Sequence, residues 1–305
     1  MKRRTILKTA LLSVLMCTSM WASQASADDK AVSLALPFDV ESWDPTARVI
    51  PQATSLYKTV FDQPLEYDAD NKLQPGVVKE YNWIGDDGLT LELILRDDVY
   101  FHNGDKLTSE DIKFTFMDHP KSDKSIQLGY IWWMVTAIDT PEPTKAVFHF
   151  SQPFVTAPEY LGFASSFILP KKYIEKVGME EFLKNPVGSG PYKLVSYQRN
   201  SRMVLEAFDK YWGGVPEIKK LTIQVIPTST SRVSAVQSGQ VDLAYALPIR
   251  EAVRLDKLPQ VTSSLTSTVD TYLIHMVNKG ALKDKNVRLA MHYAINKSAI
   301  SRALL

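Results

Sequence analysis

Residues 86–95 read Asp86-Asp87-Gly88-Leu89-Thr90-Leu91-Glu92-Leu93-Ile94-Leu95, and they carry the strand pattern from which the assignment of the fold starts. Leucine occupies every second position from Leu89 to Leu95, which is the period of a strand with one buried face. The Asp-Asp-Gly before it is a turn signal. We therefore expect a hairpin in which this strand pairs with residues 81–84.

The segments around this hairpin predict further strands and helices. Thr108 and Asp111 have the spacing of a capping box, which predicts the start of a helix at Ser109. This helix is expected to run to about His119, where Pro120 ends it. Other strands are predicted at Val32–Leu36, Ala146–Phe150, Met203–Ala207, Leu221–Val225 and Val241–Ala244, and other helices around residues 56–61, at 231–238 and from residue 284 onward.

Residues 185–192 are rich in glycine and proline, and read Asn185-Pro186-Val187-Gly188-Ser189-Gly190-Pro191-Tyr192. This composition predicts a tight connection between elements. Ser189 comes nearest to a nucleophilic serine, but both of its neighbours are glycine and the G-x-S-x-G spacing of a nucleophile elbow is missing. We therefore interpret Ser189 as part of a turn.

The N-terminal residues have the pattern of an export signal. A basic start is followed by an apolar stretch from Ile6 to Met16 and by Ala25-Ser26-Ala27, an A-x-A cleavage site. The apolar stretch is shorter than a membrane-spanning helix requires. We predict that residues 1–27 are a signal peptide, cleaved near Ala27, and the arginine pair Arg3-Arg4 leaves open a twin-arginine route.

Composition and charge exclude several classes of function. The 35 Lys+Arg and 34 Asp+Glu residues leave a formal net charge of +1, which gives no basis for binding nucleic acid. Removal of residues 1–27 takes away four basic groups and no acidic group, so the mature net charge is −3. Cys17, the one cysteine, lies in the predicted signal, so the mature chain can form no disulfide and no thiolate metal site.

The sequence lacks the motifs of catalysis and of nucleotide binding. Its five histidines show no H-x-x-x-H or H-E-x-x-H spacing, so a zinc enzyme has no support. No Walker A motif is present, and no G-x-G-x-x-G follows a predicted strand. We predict no catalytic residues, no bound metal and no cofactor.

Aromatic residues are a better indication of a binding site. Tyr130, Trp132 and Trp133 lie close together, and Trp43 and Tyr272 add to them. Aromatic rings often form the walls of pockets for apolar or amphipathic ligands. On aromatic grounds alone we predict that Trp132 and Trp133 contact a ligand, with packing in a hydrophobic core as the alternative for each.

Several separated motifs together resemble one family, the extracytoplasmic solute-binding proteins of ABC importers in the peptide and nickel class, family 5. The resemblance covers nearly all of residues 32–305, and the motifs occur in the family's order. They are Trp43-Asp44-Pro45, Asp87-Gly88-Leu89-Thr90, Leu95 to Gly104, Leu107-Thr108-Ser109-Glu110-Asp111-Ile112, Pro186 to Tyr192, Tyr211-Trp212-Gly213-Gly214, Ser238 to Leu243 and the helix from Asp284 to Ile300.

The resemblance implies an α/β, two-lobe periplasmic binding protein-like fold of type II, with an extra subdomain in lobe I. It places lobe I at residues 28–60 and 170–254, the extra subdomain at 61–169 and the start of lobe II at 255–305. Family members continue well beyond the helix from Asp284, and this chain stops on an apolar helical stripe. We therefore expect the second lobe to be truncated and the sequence to be a fragment.

The resemblance also implies ligand contacts in the first lobe. Val49, Ile50 and Pro51 follow the Trp43-Asp44-Pro45 motif, and their backbone is expected to pair with an extended peptide. Tyr272 is expected on a crossover strand beside the ligand, with packing at the hinge as its alternative.

The function implied by the resemblance is capture of a peptide or peptide-like solute between two lobes and its delivery to an ABC permease complex in the inner membrane. The protein is then a periplasmic monomer and not an enzyme. Opines, oligosaccharides and chelated nickel are alternative solutes. A truncated module that binds a protein partner and an exported enzyme are alternatives from other classes.

Overall fold

The computed structural model describes residues 30–48, 50–163, 165–266 and 273–304. The predicted signal peptide and two of the predicted ligand contacts, Val49 and Tyr272, lie outside these residues. No helix in the described part of the chain is both long enough and apolar enough to cross a membrane.

Both strands and helices occur along the described part of the chain. The strands are β1 (Ala31–Leu36), β2 (Leu65–Tyr67), β3 (Leu73–Pro75), β4 (Val78–Trp83), β5 (Thr90–Leu95), β6 (Val135–Glu142), β7 (Lys145–Phe150), β8 (Tyr192–Gln198), β9 (Arg202–Ala207), β10 (Lys220–Val225) and β11 (Leu243–Ala244). The helices are α1 (Pro51–Val60), α2 (Ser109–Lys113), a π-helical turn (Phe114–Asp118), α3 (His119–Ser122), α4 (Leu128–Ile131), α5 (Ala157–Leu161), α6 (Lys171–Val177), α7 (Met179–Lys184), α8 (Ser229–Gln237), α9 (Ile249–Leu255), a 3₁₀ turn (Gly280–Lys283), α10 (Lys285–Ala294) and α11 (Lys297–Leu304).

The strands form three sheets. A four-stranded sheet has the order β4-β5-β7-β6 with antiparallel pairing throughout, and a five-stranded sheet has the order β11-β1-β10-β9-β8. Strands β2 and β3 form a separate antiparallel pair. The predicted hairpin is confirmed, because Tyr81 pairs with Leu93 and Trp83 pairs with Leu91.

The described residues fall into two compact units. The first contains Asp39–Ile223 and the described residues before Ser33, and the second contains Ser33–Phe38 and the residues from Gln224 on. The predicted boundaries of the lobes and of the extra subdomain stay predictions.

The core of the first unit is built on the four-stranded sheet. Leu91, Leu93 and Leu95, the alternating residues of β5, are fully buried, and Phe148 of β7 lies beside them in the same cluster. Each buried leucine or phenylalanine side chain contributes roughly 1.5–3 kcal/mol through removal of apolar surface from water. The strand period read from the sequence therefore identifies the inner face of this sheet.

The helix predicted after Thr108 begins as expected but does not end as expected. The Asp111 carboxylate accepts a hydrogen bond from the Thr108 amide at 2.8 Å, which is one half of a capping box. The prediction that Pro120 ends the helix is wrong, because α3 runs to Ser122. Pro120 stands in the first turn of α3, directly after the π-helical turn, and the helix continues past it.

The glycine-rich connection of residues 186–191 lies between His102 and the C-terminal end of α1. The Gly190 amide donates to the Val60 carbonyl oxygen at 2.9 Å. A β-carbon at Gly188 would collide with that carbonyl oxygen, and one at Gly190 would lie 2.6 Å from the Val60 carbonyl carbon. The two glycines are therefore required by this close approach, and Ser189 between them is fully buried.

The second unit contains the parallel pair β1 and β11, with Leu34 opposite Leu243. Behind this pair, the buried Arg232 guanidinium donates to four carbonyl oxygens, those of Ile226, Pro227, Tyr245 and Ala246. Arg232 therefore joins the segment that follows β10 to the segment that follows β11.

Candidate functional site

The candidate site is a surface of the first unit where three segments meet. The first is residues 42–48, called here the Asp44 loop, and the second is residues 127–133. The third consists of residues 163, 165 and 166. The amides of Gln127 and Leu128 donate to the carbonyl oxygens of Ala47 and Thr46, at 3.1 and 3.2 Å. The Ser165 hydroxyl donates to the Arg48 carbonyl oxygen at 3.3 Å. The Asp44 loop is therefore attached to both other segments.

Asp44 organises its loop from inside. Its Oδ1 accepts from the Thr46 amide at 2.9 Å and from the Thr46 hydroxyl at 2.6 Å. Its Oδ2 lies 3.0 Å from Nε2 of His119, and both side chains are only 8% exposed. Buried carboxylates are stable when hydrogen bonds replace their lost water, and these contacts meet that condition.

The residues before Asp44 are also held from inside the unit. Trp43 is buried and meets the Tyr197 ring edge to face, with centroids 5.5 Å apart. The Tyr57 hydroxyl donates to the Ser42 carbonyl oxygen at 2.8 Å, and burial raises the pKa of Tyr57, with a smaller effect from Asp44. The start of the Asp44 loop is thus packed against buried aromatic side chains of the unit.

Helix α1 begins directly beyond the Asp44 loop, with Ile50 at its N-cap and Pro51 in its first turn. No side chain among the described residues caps this N-terminus, and its first turn contains no acidic residue. The predicted contacts Ile50 and Pro51 therefore stand where a helix starts, close in sequence to the attached residues 46–48.

The two predicted tryptophans lie in different environments. Trp132 is 2% exposed and packs in the core against Phe116, Phe148 and Phe154, with ring centroids 5.1 to 5.7 Å away. Trp133 is 64% exposed. Tyr130, on the same segment, is 71% exposed. The structure thus leaves Trp133 and Tyr130 free to contact a ligand, whereas Trp132 is enclosed by protein.

Aromatic residues at and just before the third segment were not among the contacts predicted from the sequence. Tyr160 packs against Phe154 at 5.5 Å and against Phe163 at 6.2 Å, so these rings run from the core to the surface. Phe163 is 48% exposed. The aromatic content of residues 160–167 is visible in the sequence, but no periodic pattern indicates which of these rings is exposed.

The chemistry of this surface is that of hydrogen bonding and apolar contact. The described residues contain no group of three or more His, Cys, Asp or Glu side chains that could hold a metal ion. Arg48 and Glu41 form an exposed ion pair at 3.7 Å. Two concavities of about 380 and 470 Å³ occur elsewhere in the unit, beside Asp111 and beside His102, and neither is lined by the Asp44 loop.

His102 and Asp62, on either side of the glycine-rich connection, have strongly shifted pKa values. The Gly188 amide donates to Nδ1 of His102, and Nε2 lies 2.9 Å from the Gly190 carbonyl oxygen. Burial lowers the pKa of His102 to about 4. Burial raises the pKa of Asp62 to about 7, although the Trp212 indole donates to its carboxylate. Both groups contact the glycine-rich connection directly.

Comparison with known proteins gives the family. Residues 72–305 match the sequence model of the bacterial extracellular solute-binding proteins, family 5, middle part. The nickel-binding periplasmic protein of Escherichia coli K12 is 28% identical over 96% of this chain and 56% of its own length. The glutathione-binding protein GsiB of Pectobacterium atrosepticum is 24% identical over 98% of this chain and 57% of its own length.

A solved structure gives the fold. The periplasmic binding protein DppA of Helicobacter pylori, in complex with the peptide STSA, superposes with a TM-score of 0.68 at 22% identity, over 75% of this chain and 49% of that one. The predicted α/β periplasmic binding protein-like fold is thereby confirmed. This chain spans a little more than half the length of the curated relatives it matches.

Proposed function

The chain belongs to the bacterial extracellular solute-binding proteins of family 5, and we propose on this basis that it is the substrate-binding component of an ABC importer. The observation that carries the proposal is the family match over residues 72–305. The relatives compared above are binding proteins for nickel, glutathione and a peptide. The proposed activity is therefore binding and delivery of a solute, without bond breaking.

The proposed solute is a peptide or a peptide-like molecule. Two of the three relatives bind molecules of this kind, glutathione and the peptide STSA. The candidate surface supports the same class, because exposed rings such as Trp133 and Phe163 can contact apolar parts of a ligand. Backbone groups at the start of α1 can pair with peptide groups.

The proposed ligand contacts are Val49, Ile50, Pro51, Trp132, Trp133 and Tyr272. The hydrogen bonds from Gln127 and Leu128 to the Asp44 loop support the grouping of residues 49–51 with residues 132–133. Exposure favours Trp133 over Trp132 for direct contact. Val49 and Tyr272 rest on the family resemblance alone.

The proposed location is the periplasm, after cleavage of a signal peptide near Ala27. The name of the nickel-binding relative supports this location. The proposed partner is an ABC permease complex in the inner membrane, and the proposed oligomeric state is a monomer. Binding of solute would favour a closed form that the permease recognises.

Titration calorimetry on the full chain, purified from a periplasmic fraction, tests the proposed function. The probes are glutathione, the peptide Ser-Thr-Ser-Ala, Ni²⁺ alone and an opine. One of the two peptide probes is expected to bind at a 1:1 ratio with micromolar affinity or better, about −8 kcal/mol. If Ni²⁺ or the opine binds and neither peptide probe does, the proposal of a peptide-like solute is overturned. If no probe binds, the proposal of solute capture is overturned. The N-terminal residue of the same sample is expected to be Asp28.

A further inference from the structure

His119 occupies an unusual place at the end of a π-helical turn. Its amide donates to the carbonyl oxygen of Phe114, five residues earlier, which is the bond that defines a π-helix. The imidazole lies flat on the Phe114 ring, with centroids 5.6 Å apart and planes at 22°. In an α-helix, residues five apart point in directions about 140° apart, so this stacking depends on the wide turn.

The π-helical turn thereby aims His119 at the Asp44 loop. Nε2 of His119 meets Asp44, a residue 75 positions earlier, and both side chains are enclosed by protein. Oδ1 of Asp44 is already engaged by Thr46. Oδ2 is therefore the acceptor for His119, and Nε2 of His119 carries the proton of this bond.

The Asp44–His119 contact lies beneath the candidate surface and not on it. On its outer side, Thr46 and Ala47 accept the hydrogen bonds of residues 127–128, and Arg48 accepts that of Ser165. Loss of the inner contact would leave Asp44 as a buried carboxylate with fewer donors, and the loop could regain donors only by moving toward water.

We propose that Asp44 and His119 are a positioning pair that fixes the Asp44 loop, and with it the start of α1, in the arrangement that contacts solute. This inference rests on the proposed function and adds two residues to it. Neither side chain touches the solute, because both are buried. Their effect reaches the solute through the backbone of residues 46–48 and the start of α1.

Two substitutions of His119 separate its hydrogen bond from its ring. His119→Phe keeps the ring that stacks on Phe114 and removes the N–H donor. His119→Gln loses the ring but places an amide N–H where Nε2 stands in the wild type. If the hydrogen bond of His119 positions the loop, His119→Gln is expected to keep the wild-type arrangement of the Asp44 loop, and His119→Phe is expected to lose it.

The first measurement is amide hydrogen exchange of the full chain without solute. His119→Phe is expected to raise exchange at residues 46–48 and 127–128 by about tenfold, since the buried Asp44 side chain loses its hydrogen bond from His119. Exchange in β8 and β9 is expected to stay unchanged, and His119→Gln is expected to stay close to wild type. Unchanged exchange at 46–48 in His119→Phe, or an equal rise throughout the chain, would overturn the proposal.

The second measurement is calorimetric affinity for whichever probe the wild type binds. His119→Phe is expected to weaken binding by about tenfold and His119→Gln by less than about threefold. Equal affinities in all three proteins would overturn the positioning role while leaving the proposed function intact. If no probe binds the wild type, the proposed function fails, and the exchange measurement still decides whether the pair holds the loop.

Discussion

His102 is hydrogen-bonded at both ring nitrogens, and this arrangement fixes its charge as well as its position. Nδ1 accepts from the Gly188 amide, so the proton of the neutral ring is on Nε2, which donates to Gly190. A second proton would have to displace the Gly188 amide. Together with burial, this explains why the pKa of His102 is lowered to about 4.

We expect the stability contributed by His102 to be lost as the pH falls. The unfolded chain takes up a proton near pH 6.5 and the folded chain only near pH 4, so the unfolded state is favoured increasingly between these values. Relative to His102→Gln, which does not titrate, the wild type is expected to lose up to about 3 kcal/mol of unfolding free energy from pH 6.5 to 4. Urea unfolding at several pH values measures this difference, and a difference independent of pH would contradict the assignment.

Alanine substitution of the two neighbouring tryptophans is expected to change the free energy of unfolding by very different amounts. Trp132→Ala removes a fully packed core ring and is expected to lower the free energy of unfolding by about 3–5 kcal/mol. Trp133→Ala changes an exposed residue and is expected to alter stability by less than about 0.5 kcal/mol. Urea unfolding of the two variants makes this comparison.

The same exposed variant tests the proposed ligand contact. Trp133→Ala is expected to weaken binding of the peptide probe by about tenfold, since an aromatic contact at an interface is worth one to two kcal/mol. Calorimetric titration of wild type and variant measures the change. An unchanged affinity would remove Trp133 from the site.

At the scale of elements, the glycine-rich connection depends on its contact with α1. A β-carbon at Gly188 would collide with the Val60 carbonyl oxygen, and backbone on both sides cannot easily move away. Gly188→Ala is expected to lower the unfolding free energy by about 3 kcal/mol or more.

Gly239→Ala is the matched control for this substitution. Gly239 follows α8 with a φ of +72° and has open space around it, so only backbone strain is added. Gly239→Ala is expected to lower the free energy of unfolding by about 1–2 kcal/mol. Similar losses in both alanine variants, measured by thermal or urea unfolding, would show that the contact with Val60 is not the cause.

The elements that the sequence predicts well are those with a local pattern. The alternating leucines of β5 and the Thr108–Asp111 spacing both describe residues that interact within a few positions. The π-helical turn leaves no such pattern, because Phe114 and Phe116 fit an α-helix equally well. The sequence therefore gives no sign of the π-helical turn or of the continuation of the helix past Pro120.

The candidate site could be predicted only in part for the same reason. The Trp43-Asp44-Pro45 motif points to the Asp44 loop of the candidate site, but its partner His119 is 75 positions away and has no pattern that marks it. Trp132 and Trp133 are consecutive residues at the end of α4. Which of them faces the core depends on how that short helix packs, and aromatic content alone does not contain this information.

At the scale of the whole molecule, the two compact units have different interiors. The first has a large aromatic and aliphatic core around β5 and β7. The second has a small cluster around Ala35, Ala235 and Val241, together with the buried Arg232. A buried cation bonded to four carbonyl oxygens is sensitive to geometry, because a lysine cannot reproduce the fork of a guanidinium.

Arg232→Lys is therefore expected to destabilise the second unit selectively. The substitution keeps the charge, but an ammonium has three donors, so at least one of the four carbonyl oxygens loses its donor and the unfolding free energy falls by about 2–4 kcal/mol. Amide hydrogen exchange by peptide is expected to rise in residues 224–255 and to stay unchanged in β5 and β7. A uniform rise through both units would contradict this expectation.

The glycine-rich connection also has a consequence for how folding handles protons. On one side of it, His102 is neutral in the folded chain down to about pH 4, and on the other side the buried Asp62 carboxyl holds its proton up to about pH 7. In the unfolded chain the usual pKa values are 6.5 for the histidine and 3.8 for the aspartate, so between these pH values the imidazole is protonated and the carboxyl is ionised. In this pH range folding therefore moves one proton from the imidazole of His102 to the carboxyl of Asp62. The contributions of the two groups to the pH dependence of the unfolding free energy have opposite signs and cancel.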